Sequence, residues 1–295
     1  MSVPRLTAGV LLAALSLVVL AVGAAPTEGA STGSGVKVRS VVIDTDMTVD
    51  DWMAVLFLVN RTDVRVKAIT VSGTGIAHGA PGARNAIRLL DLAGERDIPV
   101  AYGRATTYQD GHAFPAGWRK GSDELLGVPL PAPIRAVSKL GAARLMLDVV
   151  KKEKVEILSL GPPTNIADAL RKSRTFASRV TGITIMGGAL NVAGNVPGSK
   201  AEWNFYVDPR ATDIVLRSGI PWTLVPLDAT NTVPQNDLFF ERLGANATTA
   251  SARFVHEVMS RSGPLEELYF WDPLAAAVLV DPSVATHGRR TVRIV

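Results

Sequence analysis

The sequence predicts a single-domain α/β protein, a Rossmann-like and mostly parallel sheet flanked by helices. Three observations predict it. Short apolar runs alternate with helical patterns from residue 38 onward, as βαβ units require. Hydrophobic residues make up 47% of the 295 and charged residues 20%, a globular balance. Cysteine is absent, and a chain this long buries about three quarters of its unfolded surface without needing a disulfide.

The elements follow in order. Arg5, the apolar run 9–22 and the small residues Gly23, Ala24 and Ala25 read as a signal peptide over 1–25. The run is shorter than the roughly 20 apolar residues of a membrane span. The expectation is therefore a secreted or periplasmic, cell-envelope protein with no stable membrane insertion after cleavage; retention as an anchor is the alternative. Residues 26–36, rich in Gly, Ser and Thr, read as a flexible spacer, and 37–295 as the folded domain. Strands are expected at 38–43, 64–71, 98–102, 155–160, 183–186 and 222–225. Helices are expected at 51–60, 83–93, 141–152, 165–172 and 209–218. Residues 104–133, rich in Gly and Pro, read as a long loop, functional or disordered. A last strand-like run covers 289–294. The net charge of +4 comes from interspersed charges, with no basic run interleaved with aromatics, which argues against a nucleic-acid partner. Lack of cysteine excludes thiol nucleophiles and thiolate zinc sites.

Parallel α/β sheets bind ligands beyond the carboxyl ends of their strands. The strongest signal lies there: Ile43-Asp44-Thr45-Asp46-Met47-Thr48-Val49-Asp50-Asp51, with four carboxylates in eight positions after a buried strand. Unpaired, they repel one another. A divalent cation relieves this, and all-oxygen ligands favour calcium or magnesium. A lone Asp50 or Asp51 needs no more than a helix-cap role; four together do. An EF-hand needs Gly and Glu where Val49 and Val55 stand, and fails. An aspartate-nucleophile phosphatase of the haloacid dehalogenase type fits Asp44-x-Asp46-x-Thr48, with Asp44 attacking phosphorus, but no later Lys plus acidic pair supports it.

Further segments favour another family. Asp44 through Asp51, Gly161-Pro162-Pro163-Thr164-Asn165, Met186-Gly187-Gly188, Gly194-Asn195, Glu202-Trp203-Asn204, Asp208-Pro209 and Trp271-Asp272-Pro273-Leu274-Ala275 together resemble the nucleoside hydrolase family. The resemblance spans nearly the whole domain and implies the nucleoside hydrolase fold and cleavage of the N-glycosidic bond of ribonucleosides. It implies that Asp46, Asp51 and Asp272 bind Ca2+ by carboxylates and Thr164 by its main-chain carbonyl. Asp46 would act as general base on a calcium-bound water. Asp50, Asn195, Glu202 and Asn204 would hold the ribose, and Trp203 and Trp271 the base. Asp44 would support the ligands from behind. Plainer readings stand beside these: a turn at Asn195, solvated loop residues at Glu202 and Asn204, helix caps at Thr164 and Asp272, and core aromatics at Trp203 and Trp271.

Three departures from the family pattern matter. Trp271 stands where many relatives carry a His that protonates the leaving base, and none of His78, His112, His256 and His287 matches a family position. Tryptophan stacks on a base instead, worth about 1–3 kcal/mol. The sequence is similar in this respect to the inosine-adenosine-guanosine-preferring group, which implies purine nucleosides as substrate, with Trp118 a candidate for the opposite base face. Thr74 replaces an Asn that contacts ribose in many relatives. The chain reaches Val295 where relatives continue, so a C-terminally shortened domain is expected, with homo-oligomeric assembly left open. A nucleoside-binding protein without turnover is the remaining reading.

Overall fold

The computed structural model describes residues 38–109 and 112–294, so the expectations for 1–25 and 26–36 lie outside the described residues. Six strands form one sheet: β1 (Arg39–Thr45), β2 (Val64–Val71), β3 (Val100–Tyr102), β4 (Val155–Ser159), β5 (Val180–Met186) and β6 (Trp222–Val225). Their order is β3-β2-β1-β4-β5-β6, and every neighbouring pair is parallel. Strand order reverses between β1 and β4, which opens a crevice beyond their carboxyl ends.

Parallel strands covered on both faces read as continuous apolar runs. In β1, Val41 and Ile43 enter one core while Val42 enters the other. Helices α1 (Val49–Val59) and α2 (Gly79–Ala93) cover the first face. Helix α3 (Ala116–Asp123) follows β3, and α4 (Ala142–Lys152), α5 (Thr164–Lys172) and α6 (Phe176–Arg179) cover the second face. Helices α7 (Trp203–Val207), α8 (Pro209–Leu216), α9 (Leu227–Thr230), α10 (Asp237–Ala245), α11 (Ala250–Arg261) and α12 (Trp271–Val280) complete the described chain. No helix among the described residues is long and apolar enough to cross a membrane.

Strands β2 and β6 have the bounds expected of them. Helix α1 begins two residues early because Asp51 Oδ2 accepts the Thr48 N–H at 3.0 Å, closing its first turn. Helix α2 also begins early: Pro81 falls in its first turn, where a missing N–H costs nothing. Two expectations are corrected. The long loop of residues 104–133 contains α3 and a 3-10 turn at Leu125–Gly127. Asn85 Nδ2 pins the end of α3 by donating to the carbonyls of Ser122 (3.1 Å) and Asp123 (2.9 Å). The run at 289–294 joins no sheet; three of its residues are Arg, and it has no buried face to pair over a core. Helices α10 and α11 were not expected. Phe254 of α11 meets the fully buried Trp52 of α1 at 6.0 Å between ring centroids.

Candidate functional site

The turn between β1 and α1 carries the acidic motif. Met47 sits at φ 60°, a left-handed conformation costly for a residue with a side chain. Its N–H donates to Thr45 Oγ1 (3.0 Å) and its carbonyl accepts from Trp52 Nε1 (2.9 Å), which hold the turn in place. Asp46 is wedged between two glycines: a Cβ on Gly75 would lie 2.1 Å from Asp46 Cβ, and one on Gly161 2.6 Å from it. The loops after β2 and β4 thus close on this side chain. The Ile76 N–H donates to Asp46 Oδ2 at 3.1 Å.

The carboxylates converge. One oxygen from each of Asp50, Asp51 and Asp272 lies within 4.8 Å of the others, and all three residues are buried. Asp46 adjoins them through Asp51. Burial, then the charge of Asp51, holds Asp46 well above the usual carboxylate range. Burial and then Asp51 push Asp50 up to about 7. Burial, then the charges of Asp50, Asp51 and Asp46, raise Asp272 strongly. Burial also raises Asp51, although hydrogen bonds oppose the shift: its Oδ1 accepts from the Thr45 hydroxyl and from Asp46 N–H (3.2 Å). Asp272 Oδ1 is buried with no partner among the described residues. An orphaned carboxylate oxygen among three other carboxylates suits a hard divalent cation.

The remaining expected residues surround this cluster. Thr164 is fully buried at the first residue of α5; Pro163 holds the cap position, so the simple N-cap reading is corrected. Its hydroxyl donates to Asp208 Oδ2 (2.8 Å) and meets the Thr74 hydroxyl at 2.9 Å. Thr74 in turn meets the Ser72 hydroxyl at 2.9 Å, so this shorter side chain is enlisted in a chain of hydroxyls. Asp272 lies within the first turn of α12 while Phe270 holds the cap, so the simple cap reading of Asp272 is corrected as well. Asp44 is 1% exposed, with Oδ1 accepting from Thr70 Oγ1 (2.7 Å) and Asn165 Nδ2 (2.8 Å). Burial, opposed by those two bonds, pushes it up to about 7. A side chain sealed in this way is unsuited to attack a phosphate ester.

Glu202 caps α7. Its Oε1 accepts from Asn204 N–H (2.8 Å), and its Oε2 from the N–H groups of Gly188 (2.9 Å) and Phe205 (3.2 Å). Asn204 Nδ2 donates to the carbonyls of Leu160 (2.9 Å) and Met186 (3.3 Å), joining the ends of β4 and β5. Asn195 is exposed, and its Oδ1 accepts from the Trp203 N–H (3.1 Å), a turn-closing bond. Trp203 stacks on Phe114 at 5.2 Å and meets Trp118 edge-on at 5.5 Å. Trp271 leans on Tyr269 at 5.5 Å. The indole N–H groups of Trp203 and Trp271 are both buried without partners among the described residues.

Sequence reasoning missed Asp208 as an anchor, the two glycines against Asp46, and Arg119. Asp208 is fully buried and also accepts from Ala211 N–H (3.1 Å) and Tyr108 N–H (3.2 Å). Arg119, on α3, is half-buried: its Nη2 reaches the Gly73 carbonyl at 3.4 Å and its Nε has no partner among the described residues. Burial lowers its pKa, while Asp123 and Asp46 oppose that shift. Nothing in its local sequence marked it, because residues 104–133 showed no periodicity.

Comparison with known proteins agrees with this geometry. The family model described as inosine-uridine preferring nucleoside hydrolase matches residues 41–295. The chain is 32% identical over 266 residues to uridine nucleosidase 1 of Arabidopsis thaliana, covering 88% of this chain and 79% of that protein. It is similar to the solved structure of a plant nucleoside hydrolase, PpNRh1, with TM-score 0.76, 30% identity and coverage of 84% and 80% of the two chains. It is also similar to a purine-preferring ribonucleoside hydrolase from Gardnerella vaginalis, with TM-score 0.70, 29% identity and coverage of 84% and 82%.

Proposed function

Since this chain belongs to the inosine-uridine preferring nucleoside hydrolase family, we propose that it hydrolyses the N-glycosidic bond of ribonucleosides, purines preferred, to free base and ribose. The observation that carries the reading is the convergence of Asp46, Asp50, Asp51 and Asp272 at the crevice between β1 and β4, with one oxygen of Asp272 left unpaired. Asp46, Asp51, Asp272 and the Thr164 carbonyl would hold calcium. When bound, calcium supplies charge that offsets the carboxylates and makes a neighbouring water more acidic.

The chain's own residues do the rest. Asp46 takes the proton of the attacking water, and Gly75 and Gly161 fix its position. Burial and the neighbouring carboxylates raise its pKa; with a cation bound, that shift is opposed and Asp46 stays ionised for this role. Asp50, Asn195, Glu202 and Asn204 hold the ribose hydroxyls, and anionic partners stabilise positive charge growing on the sugar ring. Water attacks opposite the base, with inversion. Relatives named for uridine and for purines are similar to this chain to about the same degree. Base preference therefore rests on Trp203, Trp271 and Trp118, whose faces favour the larger ring system. The pattern of residues 1–25 supports export, and a mature N-terminus near Pro26 in the culture medium would bear this out.

The decisive assay measures ribose released from inosine, adenosine, guanosine and uridine, with and without chelator. Purines are cleaved faster, chelator abolishes turnover, and Asp46→Ala is inactive yet folded. Tight inosine binding without ribose release would select the silent binding protein instead, and faster cleavage of uridine would overturn the purine preference.

A further inference from the structure

A base that leaves with the bonding electron pair needs a proton or a nearby positive charge. Trp271 supplies neither, and each of the four histidines is engaged with another partner. His78 Nδ1 is 2.6 Å from Asp123 Oδ2, and His112 stacks on Tyr206 with Nδ1 2.6 Å from that residue's carbonyl. His256 stacks on Phe240 at 4.3 Å, and His287 Nε2 is 2.7 Å from the Pro282 carbonyl.

Arg119 answers the need. It follows Trp118 on α3, and α3 is docked directly on the acidic turn. Ser122 Oγ donates to Thr48 Oγ1 (3.1 Å), and Asp123 Oδ1 accepts the His78 N–H (2.8 Å). The Gly73 carbonyl that Arg119 reaches belongs to the loop whose Gly75 packs on Asp46. A guanidinium stays charged at any working pH and carries five donors. Removing one from water with a single long contact is costly. That cost is offset when a ligand accepts from it.

Resting on the hydrolase reading above, we propose that Arg119 is a catalytic residue whose guanidinium donates hydrogen bonds to the departing base. The bond between the anomeric carbon and the base nitrogen breaks, and its electron pair stays on the base, which Arg119 holds as an anion until solvent protonates it. The water oxygen bonds to the anomeric carbon, and its proton goes to Asp46. The ligand class is thus a base with an acceptor beside the breaking bond, as in hypoxanthine, guanine or uracil.

The test compares wild type, Arg119→Gln and Arg119→Lys on inosine, 6-chloropurine riboside and p-nitrophenyl β-D-ribofuranoside, whose leaving groups improve in that order. Arg119→Gln is expected to lose about 100-fold in kcat on inosine and about 3-fold or less on the nitrophenyl riboside, because one preorganised donor is worth that much only where charge needs holding. Arg119→Lys keeps a cation and falls between. Equal losses on all three substrates, or no loss on inosine, overturn the proposal. If thermal melting shows Arg119→Gln unfolded, the Lys variant decides alone: a loss on inosine that does not exceed its loss on the nitrophenyl riboside overturns it. Wild type that releases ribose from none of the three refutes the hydrolase reading itself.

Discussion

Gly161→Ala is a clean probe of the site, because it adds one methyl group against the proposed base. The new Cβ would lie 2.6 Å from Asp46 Cβ, 3.0 Å from its Cγ and 3.1 Å from its backbone nitrogen. That is roughly 1 Å short of ordinary carbon–carbon contact. Asp46 cannot simply rotate away, since its backbone is among the atoms contacted and Gly75 also packs closely on its Cβ. Gly161 has no left-handed φ, so the effect is steric alone. A displacement of about 1 Å at a reacting group costs about 100-fold in rate, while overpacking costs about 1–3 kcal/mol of stability. The assay is steady-state ribose release from inosine at saturating calcium, with a urea melt beside it. The expected result is a kcat about 100-fold down in a folded protein, against an unchanged control, Gly117→Ala, whose methyl meets open space. A folded Gly161→Ala enzyme with wild-type kcat would show that the position of Asp46 does not limit the reaction.

Three further outcomes are expected. In chelator, Asp44 and Asp50 have folded-state values raised from 3.8 to about 7. The folded state then holds protons that the unfolded chain has released, so their contribution is fully present below about pH 4 and is lost as pH rises to about 7. Each costs at most about 4 kcal/mol at neutral pH, so calorimetry should show the calcium-induced rise in Tm to be larger at pH 7.5 than at pH 5; a smaller rise at pH 7.5 contradicts the shifts. Asp208→Asn weakens the bond to the Thr164 hydroxyl and the α8 cap, costing about 1–3 kcal/mol in urea melts, and calcium titration should show weaker binding as α5 shifts; unaltered binding would detach Asp208 from the site. Trp203→Ala and Trp271→Ala should each raise KM for inosine by a factor matching about 1–3 kcal/mol and affect uridine less, and an equal effect on both nucleosides would count against stacking.

The sheet was legible because a parallel strand covered on both faces reads as an apolar run, as Val41-Val42-Ile43 of β1 does; β2 and β6 carry polar residues among their apolar ones and were still marked by their β-branched and aromatic content. The acidic turn was legible for the converse reason: four carboxylates after such a strand contradict local cost unless something binds them. What escaped notice depends on contacts distant in sequence. Helix α3 is too short to show periodicity and is fixed by Asn85 from α2. The role of Asp208 exists only because α8 begins beside Thr164, and the steric roles of Gly75 and Gly161 only because two loops meet at Asp46. Thr74 looked like a loss against the family pattern; in the fold its hydroxyl joins Ser72 to Thr164.

The same interdependence explains why the unfavourable features collect in one place. Met47 in a left-handed conformation, four buried carboxylates and a half-buried guanidinium each cost stability. Local hydrogen bonds hold the backbone of Met47 and the carboxylate of Asp51, but nothing within one segment offsets the gathered charge. These features share the crevice where strand order reverses, so segments more than two hundred residues apart, the turn of residues 46–51 and the first turn of α12, meet without crossing the sheet. The two cores on either face hold those segments in place through apolar burial that does not depend on the site. A cation entering the cluster then meets carboxylates already gathered, and the repulsion among them becomes affinity for the ion. Had the chain relieved that repulsion by placing Asn at residue 51 or 272, the empty fold would be more stable and the ion more weakly held.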